Sequence, residues 1–573
     1  MKILRDLVIP RKELQHWTDN LTWSRDGTLY VTTIPDVTCC EPVFSREVNG
    51  QAKHLFHTKE FPLELGNKFE YDIAERDVLL NAQPEPGVVL CAPSPSAQQL
   101  AILTNNANVI TTVGQICIGE ADEATLSEAE RAYRAVCWGP DGQLLVVGNE
   151  CGELKIFSVH AAEGGTSVGH LHTVSVGRPD EWVVGIRWEG DMIVAYTSAN
   201  SVHLVSAIDY KQREILGPGG RQVTDVQLIG KYVLVARTDA LHKIEYGSGA
   251  VEVLELGWGA ESYIVPLPDQ DAAVILSNRT SCKVLLEGPF EAGPDDVIAP
   301  HIETKFKKWN TVFNEFNKYE STFNIYGIAL SPDGYCLALL YEIERVSFKY
   351  RILSELQFRI MLLPLTNKWR ITPRATGLAL YQNYHIYNGM MPENLDETQN
   401  IDVSTSQDFA LFLGEIRNSE QVRKLRFENL LRDSPSDDWY KTLLYKYALD
   451  NKDRITNPLD KACIISLANI LKVPAPFAST IVTLRGDYIT ESFNFSANDD
   501  PKVLKSEDGT LWQRCAISYL PLLTTSVKVC PVSNYRIIDI RRDTYNDYGW
   551  FTRTLLEIFN DESLYTGTRM TTI

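Results

Sequence analysis

A chain of 573 residues with 44% hydrophobic residues can bury a large core, and about 100–200 residues per domain predicts two to four domains. No stretch reaches the roughly eighteen apolar residues of a membrane span, and the amino terminus lacks the pattern of a secretory signal. The formal net charge of −19 repels a phosphate backbone, which disfavours direct DNA binding. Most of the eleven cysteines are scattered singly, so we expect reduced thiols in the cytoplasm or nucleus.

A strand-turn-strand phrase recurs seven times in the first two thirds of the chain. Three copies are clear, because each contains an Asp-Gly turn whose glycine can adopt positive φ. The other four copies are weaker. The copies begin at Leu21, Leu90, Ala135, Gly185, Asp225, Tyr263 and Gly327. Because the middle copies have the spacing of about 40–45 residues of a four-stranded blade, they predict a mainly β fold, a seven-bladed WD40-like β-propeller over residues 1–370. Its longer gaps predict insertions near residues 61–86 and 291–320.

The second insertion contains aromatic side chains at helical spacing. Phe306, Trp309, Phe313 and Phe316 form one apolar stripe in TKFKKWNTVFNEFNKYE, with polar residues opposite, and this pattern predicts an amphipathic helix. Such stripes more often pack on the protein itself, and binding to a partner is the alternative. Under that alternative, the candidate partner-interface residues are Trp309, Phe313 and Phe316, together with Trp550 near the carboxyl terminus.

Residues 371–573 have a different pattern and predict a smaller α+β domain. SDDWYKTLLYKYALDN, with Ser436 as its N-cap, and PLDKACIISLANILK, which begins at Pro458, predict two helices. SVKVCPV and YRIIDI predict strands. A last helix is indicated by Phe551, Leu555 and Phe559, which share one face.

The motif search finds no set of residues typical of catalysis. Neither GxxxxGK[ST] nor a GxGxxG after a strand occurs, so no nucleotide or other cofactor is expected. Residues 165–169 fit GxSxG, but a nucleophile elbow needs a strand before the serine and a helix after it, and we predict a loop instead. His170 and His172 could share a metal from one face of a strand, but no acidic or cysteine partner lies at ligand spacing, so we expect solvated or hydrogen-bonded side chains.

The remaining polar motifs are also interpreted structurally. The carboxylate pairs Asp437–Asp438 and Asp499–Asp500 lie in helix-cap and loop contexts. Cys515 and Cys530 flank an apolar stretch that has the character of a degenerate zinc finger. A structural zinc site needs four ligands, Ser533 stands where a second thiolate would follow Cys530, and no histidine follows His385, so we predict no metal.

Six long segments carry a resemblance to a known family. They are NLTWSRDGTLYVTT from Asn20, LFHTKEFPLELGNKFEYDIAERDVLLNAQP from Leu55, VVGNECGELKIFS from Val146, IAPHIETKFKKWNTVFNEFNKYEST from Ile298, ALSPDGYCLALLYEIERVSFKYRI from Ala329 and LLTTSVKVCPVSNYRIIDIRRDTYNDYGWFTRTLLE from Leu522. In these strings the chain resembles, nearly end to end, the sixty-kilodalton tau subunits of yeast transcription factor IIIC. That general factor recruits the RNA polymerase III machinery to tRNA genes.

The resemblance implies a nuclear, non-enzymatic scaffold in the tau-B half of the factor. It implies a heterodimer with the other propeller-bearing tau-B subunit and association with the largest tau-B subunit, which carries much of the B-box DNA recognition. It also implies contact with the TATA-binding protein and help in assembling TFIIIB, with DNA bound only indirectly. No membrane or small-molecule substrate is expected.

Two alternatives remain open at this point. One is a propeller scaffold of an unrelated assembly, such as a ubiquitin-ligase receptor or a coat. The other is a histone acetyltransferase, because metazoan relatives are described with that activity and with a zinc-finger-like carboxyl terminus. The sequence contains no glycine-rich acetyl-CoA loop joined to a strand and a helix, and we assign no catalytic residue.

Overall fold

The chain was analysed as a computed structural model, which describes residues 7–9, 14, 20–33, 36–44, 56–61, 87–95, 99–104, 109–111, 130, 132–162, 165–313, 320–345, 358–395, 408–432, 438–497, 499 and 504–572. These residues contain 32 strands and seven α-helices, so the fold is mainly β. Within the same ranges, no helix is long and apolar enough to cross a membrane.

The chain divides into two compact units. The first comprises Met1–Val43, Gln51–Trp369 and Asn383–Met390, and the second comprises Phe44–Gly50, Arg370–Gln382 and Met391–Ile573. The first unit contains the β-sheets formed by the repeated phrases. The second contains most of the helices.

In its described part, the first unit has seven antiparallel sheets of three or four strands. Strand β1 (Leu7–Ile9) belongs to the seventh sheet. The first sheet has β2 (Leu21–Trp23), β3 (Leu29–Thr32), β4 (Val37–Pro42) and β5 (Phe56–Phe61); the second has β6 (Val88–Pro93), β7 (Leu100–Thr104) and β8 (Val109–Thr111); the third has β9 (Tyr133–Trp138), β10 (Leu144–Asn149), β11 (Glu153–Ala162) and β12 (Gly165–Ser175).

The next four sheets follow the same pattern of consecutive strands. The fourth has β13 (Val183–Glu189), β14 (Met192–Thr197), β15 (Val202–Ser206) and β16 (Gln212–Leu216); the fifth has β17 (Val223–Ile229), β18 (Tyr232–Arg237), β19 (Ala240–Glu245) and β20 (Val251–Glu255); the sixth has β21 (Ser262–Pro266), β22 (Ala272–Ser277), β23 (Ser281–Leu285) and β24 (Ala292–Pro294). The seventh has β25 (Ser321–Leu330), β26 (Cys336–Arg345) and β27 (Phe358–Pro364), and β1 pairs antiparallel with β27.

Each of the seven sequence phrases coincides with the first two strands of one sheet. In the three clear copies the Asp-Gly turn has the predicted geometry, with φ of 89° at Gly27, 73° at Gly142 and 79° at Gly334. The aspartate before each glycine accepts a hydrogen bond from the amide two residues further on, as Asp141 Oδ1 does from Gln143 at 3.0 Å. The side chain thus closes the turn that joins two apolar strands.

Neighbouring sheets pack on each other in chain order. The contacts join β3 to β6, β6 to β9, β9 to β13, β13 to β17, and β17 to β21. The sixth and seventh sheets share one apolar cluster, and β25 of the seventh contacts β2 of the first. There the backbone amide and the side-chain amide of Asn20 both donate to the carbonyl of Tyr326, at 3.4 and 2.9 Å.

A buried carboxylate links three consecutive sheets. Asp225 in β17 accepts a hydrogen bond from the backbone amide of Ile264 in β21 at 2.9 Å and forms an ion pair with Arg187 in β13 at 3.4 Å. Burial raises the pKa of this carboxyl, while Arg187 and the amide hydrogen bonds oppose the rise. Because these partners lie on the two neighbouring sheets, the carboxyl group joins β13, β17 and β21.

The second unit combines helices with short strands. Helix α1 (Ala299–Phe313) belongs to the first unit, and α2 (Gly377–Ile386) contributes residues to both. The second unit adds α3 (Phe409–Asn418), α4 (Glu420–Leu431), α5 (Asp438–Asp450), a 3₁₀ turn (Lys452–Arg454), α6 (Pro458–Leu471), the hairpin β28 (Ser479–Arg485) with β29 (Thr490–Ser496), β30 (Val527–Val529), β31 (Arg536–Ile538), α7 (Trp550–Ile558) and β32 (Thr571–Thr572).

The predicted helices and strands of this region are confirmed, and three helices were missed. Pro458 is the first residue of α6, with Asn457 as its cap accepting from the amide of Leu459 at 2.8 Å. The predicted cap Ser436 lies outside the described residues. Helices α2, α3 and α4 were not predicted, and α3 and α4 follow each other around Ser419, which is both the end of one and the cap of the next.

We expect Gly327→Ala to destabilise the first unit, because a Cβ at this position would lie 2.9 Å from the backbone nitrogen of Leu21, where the first and seventh sheets meet. Overpacking at such a contact costs about 1–3 kcal/mol of unfolding free energy. Chemical denaturation measures the effect. Gly220→Ala is the matched control, since a Cβ there would have no neighbour within 4 Å. Equal stability of the two variants would contradict this packing.

Candidate protein-binding surfaces

Helix α1 is fixed at its start by one carboxylate. Asp295 Oδ1 accepts hydrogen bonds from the amides of Val297 and Ile298, and Oδ2 accepts one from Ala299, all at 2.9 Å. Ser281 in β23 donates to the same carboxylate at 2.6 Å. The unpaired amides at the helix start are thus satisfied, and the start of the helix is attached to the sixth sheet.

The aromatic stripe of α1 is partly internal. Phe306 packs with Ile302 against the apolar cluster shared by the sixth and seventh sheets. Of the two alternatives, this residue therefore packs on the protein itself. Trp309, one turn later, is half-buried, and Val312 is 62% exposed. Phe313 is the last helical residue, but its side chain, like all of Phe316, lies outside the described residues. In the described part of α1, Ile302, Phe306 and Trp309 are thus half-buried, and Val312 is exposed near the carboxyl end.

Trp550 has extensive contacts inside the second unit. Its indole Nε1 donates to the carbonyl of Arg454 at 3.1 Å, and the guanidinium of Arg454 lies 4.9 Å from the ring centroid. The indole also makes an edge-to-face contact with Phe409, with centroids 5.5 Å apart. Trp550 therefore packs against two other helical segments, the 3₁₀ turn and α3, while part of its surface stays exposed.

The start of α7 at Trp550 depends on a buried acid. Asp460, which is 0% exposed, accepts hydrogen bonds from the amides of Phe551 at 3.2 Å and Thr552 at 2.9 Å. Burial raises the pKa of this carboxyl, and the two amides oppose the rise. Gly549 leaves room for the carboxylate, because a Cβ there would lie 2.1 Å from Asp460 Oδ2. This arrangement fixes the orientation of Trp550.

The sequence analysis missed several exposed aromatic side chains, of which Tyr488 is the most exposed in the described residues. Tyr488, at the tip of the β28–β29 hairpin, is 92% exposed, and its neighbour Ile489 is 40% exposed. Asp487 holds the tip in place, accepting from the amide of Thr525 at 2.9 Å, and its hydrogen bonds with Thr525 lower the pKa of its carboxyl. No sequence signal marked Tyr488, because one tyrosine in a turn has no periodic partner.

The GxSxG string does not form a nucleophile elbow. Residues 165–169 lie in β12, paired with β11 in one long hairpin, and no helix follows Ser167. The predicted loop is therefore wrong, because the ladder of β11 and β12 extends past the motif. His170 contacts Thr173 Oγ1 at 2.9 Å, and His172 stacks on Tyr210 with centroids 4.8 Å apart. Within the described ranges, no three His, Cys, Asp or Glu side chains are grouped to hold a metal.

The remaining polar candidates also have local structural roles. Asp499 accepts hydrogen bonds from the amide and the hydroxyl of Ser496, at 2.6 and 2.8 Å, as its turn context predicted. Asp500 and Asp437 lie outside the described residues, and Asp438 is the first residue of α5. A groove of about 500 Å³ in the first unit is lined by Tyr387 and by six residues without an acid or base: Pro364, Asn367, Ile386, Asn388, Gly389 and Met390.

Cys515 and Cys530 are both fully buried thiols in the core of the second unit. Cys530 Sγ lies 3.3 Å from the hydroxyls of both Thr566 and Thr568, and it accepts a hydrogen bond from the amide of Ser533 at 3.4 Å. Burial raises the pKa of the Cys530 thiol, but the hydrogen bonds from Ser533, Thr566 and Thr568 outweigh it, so the pKa lies below its ordinary value.

Comparison with known proteins identifies the family. The family model described as "Putative zinc-finger of transcription factor IIIC complex" matches residues 494–570. The transcription factor tau 60 kDa subunit of Saccharomyces cerevisiae is 41% identical over 587 aligned positions that cover 100% of both chains.

Two further similarities are partial. Telomerase protein component 1 of Mus musculus is 28% identical over 189 residues, which is 29% of this chain and 7% of that protein. The crystal structure of the mitotic checkpoint complex contains a chain with 12% identity and a TM-score of 0.39, covering 63% of this chain and 91% of that one, a similarity too low to indicate a shared function. The full-length identity is decisive, and the chain belongs to the family of the transcription factor IIIC tau 60 kDa subunit.

Proposed function

We propose that the chain is a non-catalytic scaffold subunit of transcription factor IIIC that works through protein-binding surfaces. The observation that carries the proposal is the 41% identity to the tau 60 kDa subunit over the whole of both chains. The buried or locally bonded state of the candidate reactive groups supports it. The net charge of −19 favours a subunit that binds DNA only indirectly.

As its architecture we propose a seven-bladed WD40-like propeller over residues 1–370 and an α+β domain over residues 371–573. Three observations support the propeller: the number of sheets, their contacts in chain order, and the contact of the last sheet with the first. The pairing of β1 with β27 adds a fourth strand to the seventh sheet, which also supports the proposal. Such radial repetition leaves only short strand edges exposed and gives a rigid body for docking.

As partners we propose the other propeller-bearing tau-B subunit, in a heterodimer, and the largest tau-B subunit. We further propose that the chain helps recruit TFIIIB through the TATA-binding protein at tRNA genes, in the nucleus. The exposed carboxyl end of α1 is the candidate surface for one of these contacts. Trp309 and Phe313 lie near this end, and Phe316 follows outside the described residues. Aromatic side chains contribute strongly to interfaces because they bury much apolar area.

We expect the double variant Trp309→Ala/Phe313→Ala to lose co-purification of other tau subunits when the tagged full-length protein is isolated from nuclear extract. Loss of interface hot spots costs about 2 kcal/mol or more of binding free energy, or about 30-fold in affinity. Circular dichroism checks that the fold is retained, because Trp309 is half-buried.

The matched control for this surface is Ile208→Ala, which removes an apolar side chain that is 77% exposed on the fourth sheet's last turn. It should retain the partner subunits. If the folded double variant still recovers the same partners, α1 is not part of the interface. Recovery of a different set of proteins by the wild-type chain would overturn the proposed function itself.

A second prediction separates packing from partner binding at Trp550. Trp550→Phe keeps an aromatic ring near Phe409 but loses the hydrogen bond to the carbonyl of Arg454, so we expect unfolding free energy to fall by about 1 kcal/mol. Partners should be retained if the indole serves packing alone. Loss of partners by a variant of unchanged stability would instead assign Trp550 to the interface.

A further inference from the structure

Three turns in the second unit share one backbone pattern. They span residues 515–520, 530–535 and 563–568. In each, the amide of the first residue donates to the carbonyl of the sixth, and the amide of the fifth donates to the carbonyl of the first, at 2.7 to 3.0 Å. The fifth residue has positive φ in every case: 59° at Tyr519, 57° at Asn534 and 61° at Gly567.

The first and fourth positions of such a turn have the spacing of a C-x-x-C pair in structural zinc sites. The three turns place Cys515 with Ser518, Cys530 with Ser533, and Ser563 with Thr566 at these positions. In the second turn the sulfur of Cys530 accepts a hydrogen bond from the backbone amide of Ser533. The three turns thus have the backbone geometry of a metal-binding turn, although only two of the six side chains at their first and fourth positions are thiols.

The second and third turns meet through these side chains. Cys530 Sγ lies 3.3 Å from Thr566 Oγ1 and 3.3 Å from Thr568 Oγ1, and the two hydroxyls are 2.9 Å apart. All three residues are 0% exposed. The first turn joins the same region, because Tyr565 Oη donates to the carbonyl of Ala516 at 2.7 Å. One bonded cluster therefore connects elements that lie 36 and 38 residues apart in the chain.

The residues present do not fit the zinc ion that the family description implies. Structural zinc takes four thiolate, imidazole or carboxylate ligands. The cluster offers one thiol, two threonine hydroxyls and a backbone amide, and in the described part of the chain no group of three His, Cys, Asp or Glu completes it. A neutral hydroxyl donates and accepts hydrogen bonds, and it fits contact with a thiol better than with a metal.

We infer that the hydrogen-bonded cluster of Cys530, Thr566 and Thr568 has replaced a zinc ion as the link between the two turns, so that this domain folds without metal. A metal contributes folding free energy by joining distant ligands. Here buried hydrogen bonds supply the link, and each must be satisfied because an unpaired buried hydroxyl is costly.

The first experiment measures metal in the wild-type full-length protein. After expression in zinc-supplemented medium and purification without chelator, mass spectrometry should find fewer than about 0.1 zinc per chain, and EDTA should shift the melting temperature by less than about 1 °C. About one zinc per chain, with a melting temperature that falls on chelation, would overturn the inference.

The second experiment restores the ligands. In the variant Ser533→Cys/Ser563→Cys/Thr566→Cys, the three new thiols and Cys530 occupy all four positions, so we expect about one zinc per chain and a melting temperature that falls when EDTA is added. A folded variant that binds no zinc would show that the two turns do not converge as a metal site, which contradicts the replacement.

A third variant keeps the inference testable if the triple variant fails to fold. Thr566→Val removes one hydroxyl at nearly constant volume and should lower the melting temperature of the second unit by about 2–4 °C. The control is Thr490→Val, which changes an exposed threonine of the β28–β29 hairpin. Equal melting of the two variants would show that the hydroxyl cluster does not hold the turns together.

Discussion

The structure of the first unit depends on the contact between its first and last sheets. Strand β1 adds to β27, and Asn20, before β2, donates from both its amides to Tyr326, 306 residues further on. Bringing together strands so far apart in the chain costs conformational entropy, and no local turn offsets that cost. This cost is offset by the contacts between neighbouring sheets, in which each sheet packs on the next along the chain.

Polar groups make these contacts specific. Asp225 contacts both Arg187 and the amide of Ile264, so one carboxyl group joins the fourth, fifth and sixth sheets. Asp460 has a comparable role in the second unit, where it accepts hydrogen bonds from two backbone amides at the start of α7. Asp225 and Asp460 thus join neighbouring elements through hydrogen bonds to backbone amides.

The sequence predicted the elements whose information is local. Apolar strands around Asp-Gly turns were visible because the turn chemistry and the alternation occur within about fifteen residues. The outer strands were not predicted: β16 and β20 are mostly exposed and carry mixed sequences such as QREIL and VEVLE. Strand β1 has three residues and a distant partner, so no local pattern could assign it. Helices α3 and α4 were missed because their boundary at Ser419 contains neither glycine nor proline.

For the candidate sites, too, the sequence predicted only those features that depend on local pattern. The helical spacing from Phe306 predicted α1, but it could not tell which aromatic enters the core, because that depends on the sixth and seventh sheets. The sequence analysis interpreted the two cysteines as a degenerate zinc finger, but it did not predict the hydroxyl partners of Cys530. Thr566 and Thr568 lie far from Cys530 in sequence, and only the folded backbone brings them within 3.3 Å.

Amide hydrogen exchange of residues 7–9 in the full-length chain tests the closure of the first unit most directly. Residues this close to a chain terminus exchange freely unless they are paired. The account predicts that amides of β1 bonded to β27 exchange about 100-fold more slowly than an unstructured chain, through openings of the seventh sheet. Exchange at the unstructured rate throughout residues 7–9 would contradict it, and the seventh sheet would then end at β27.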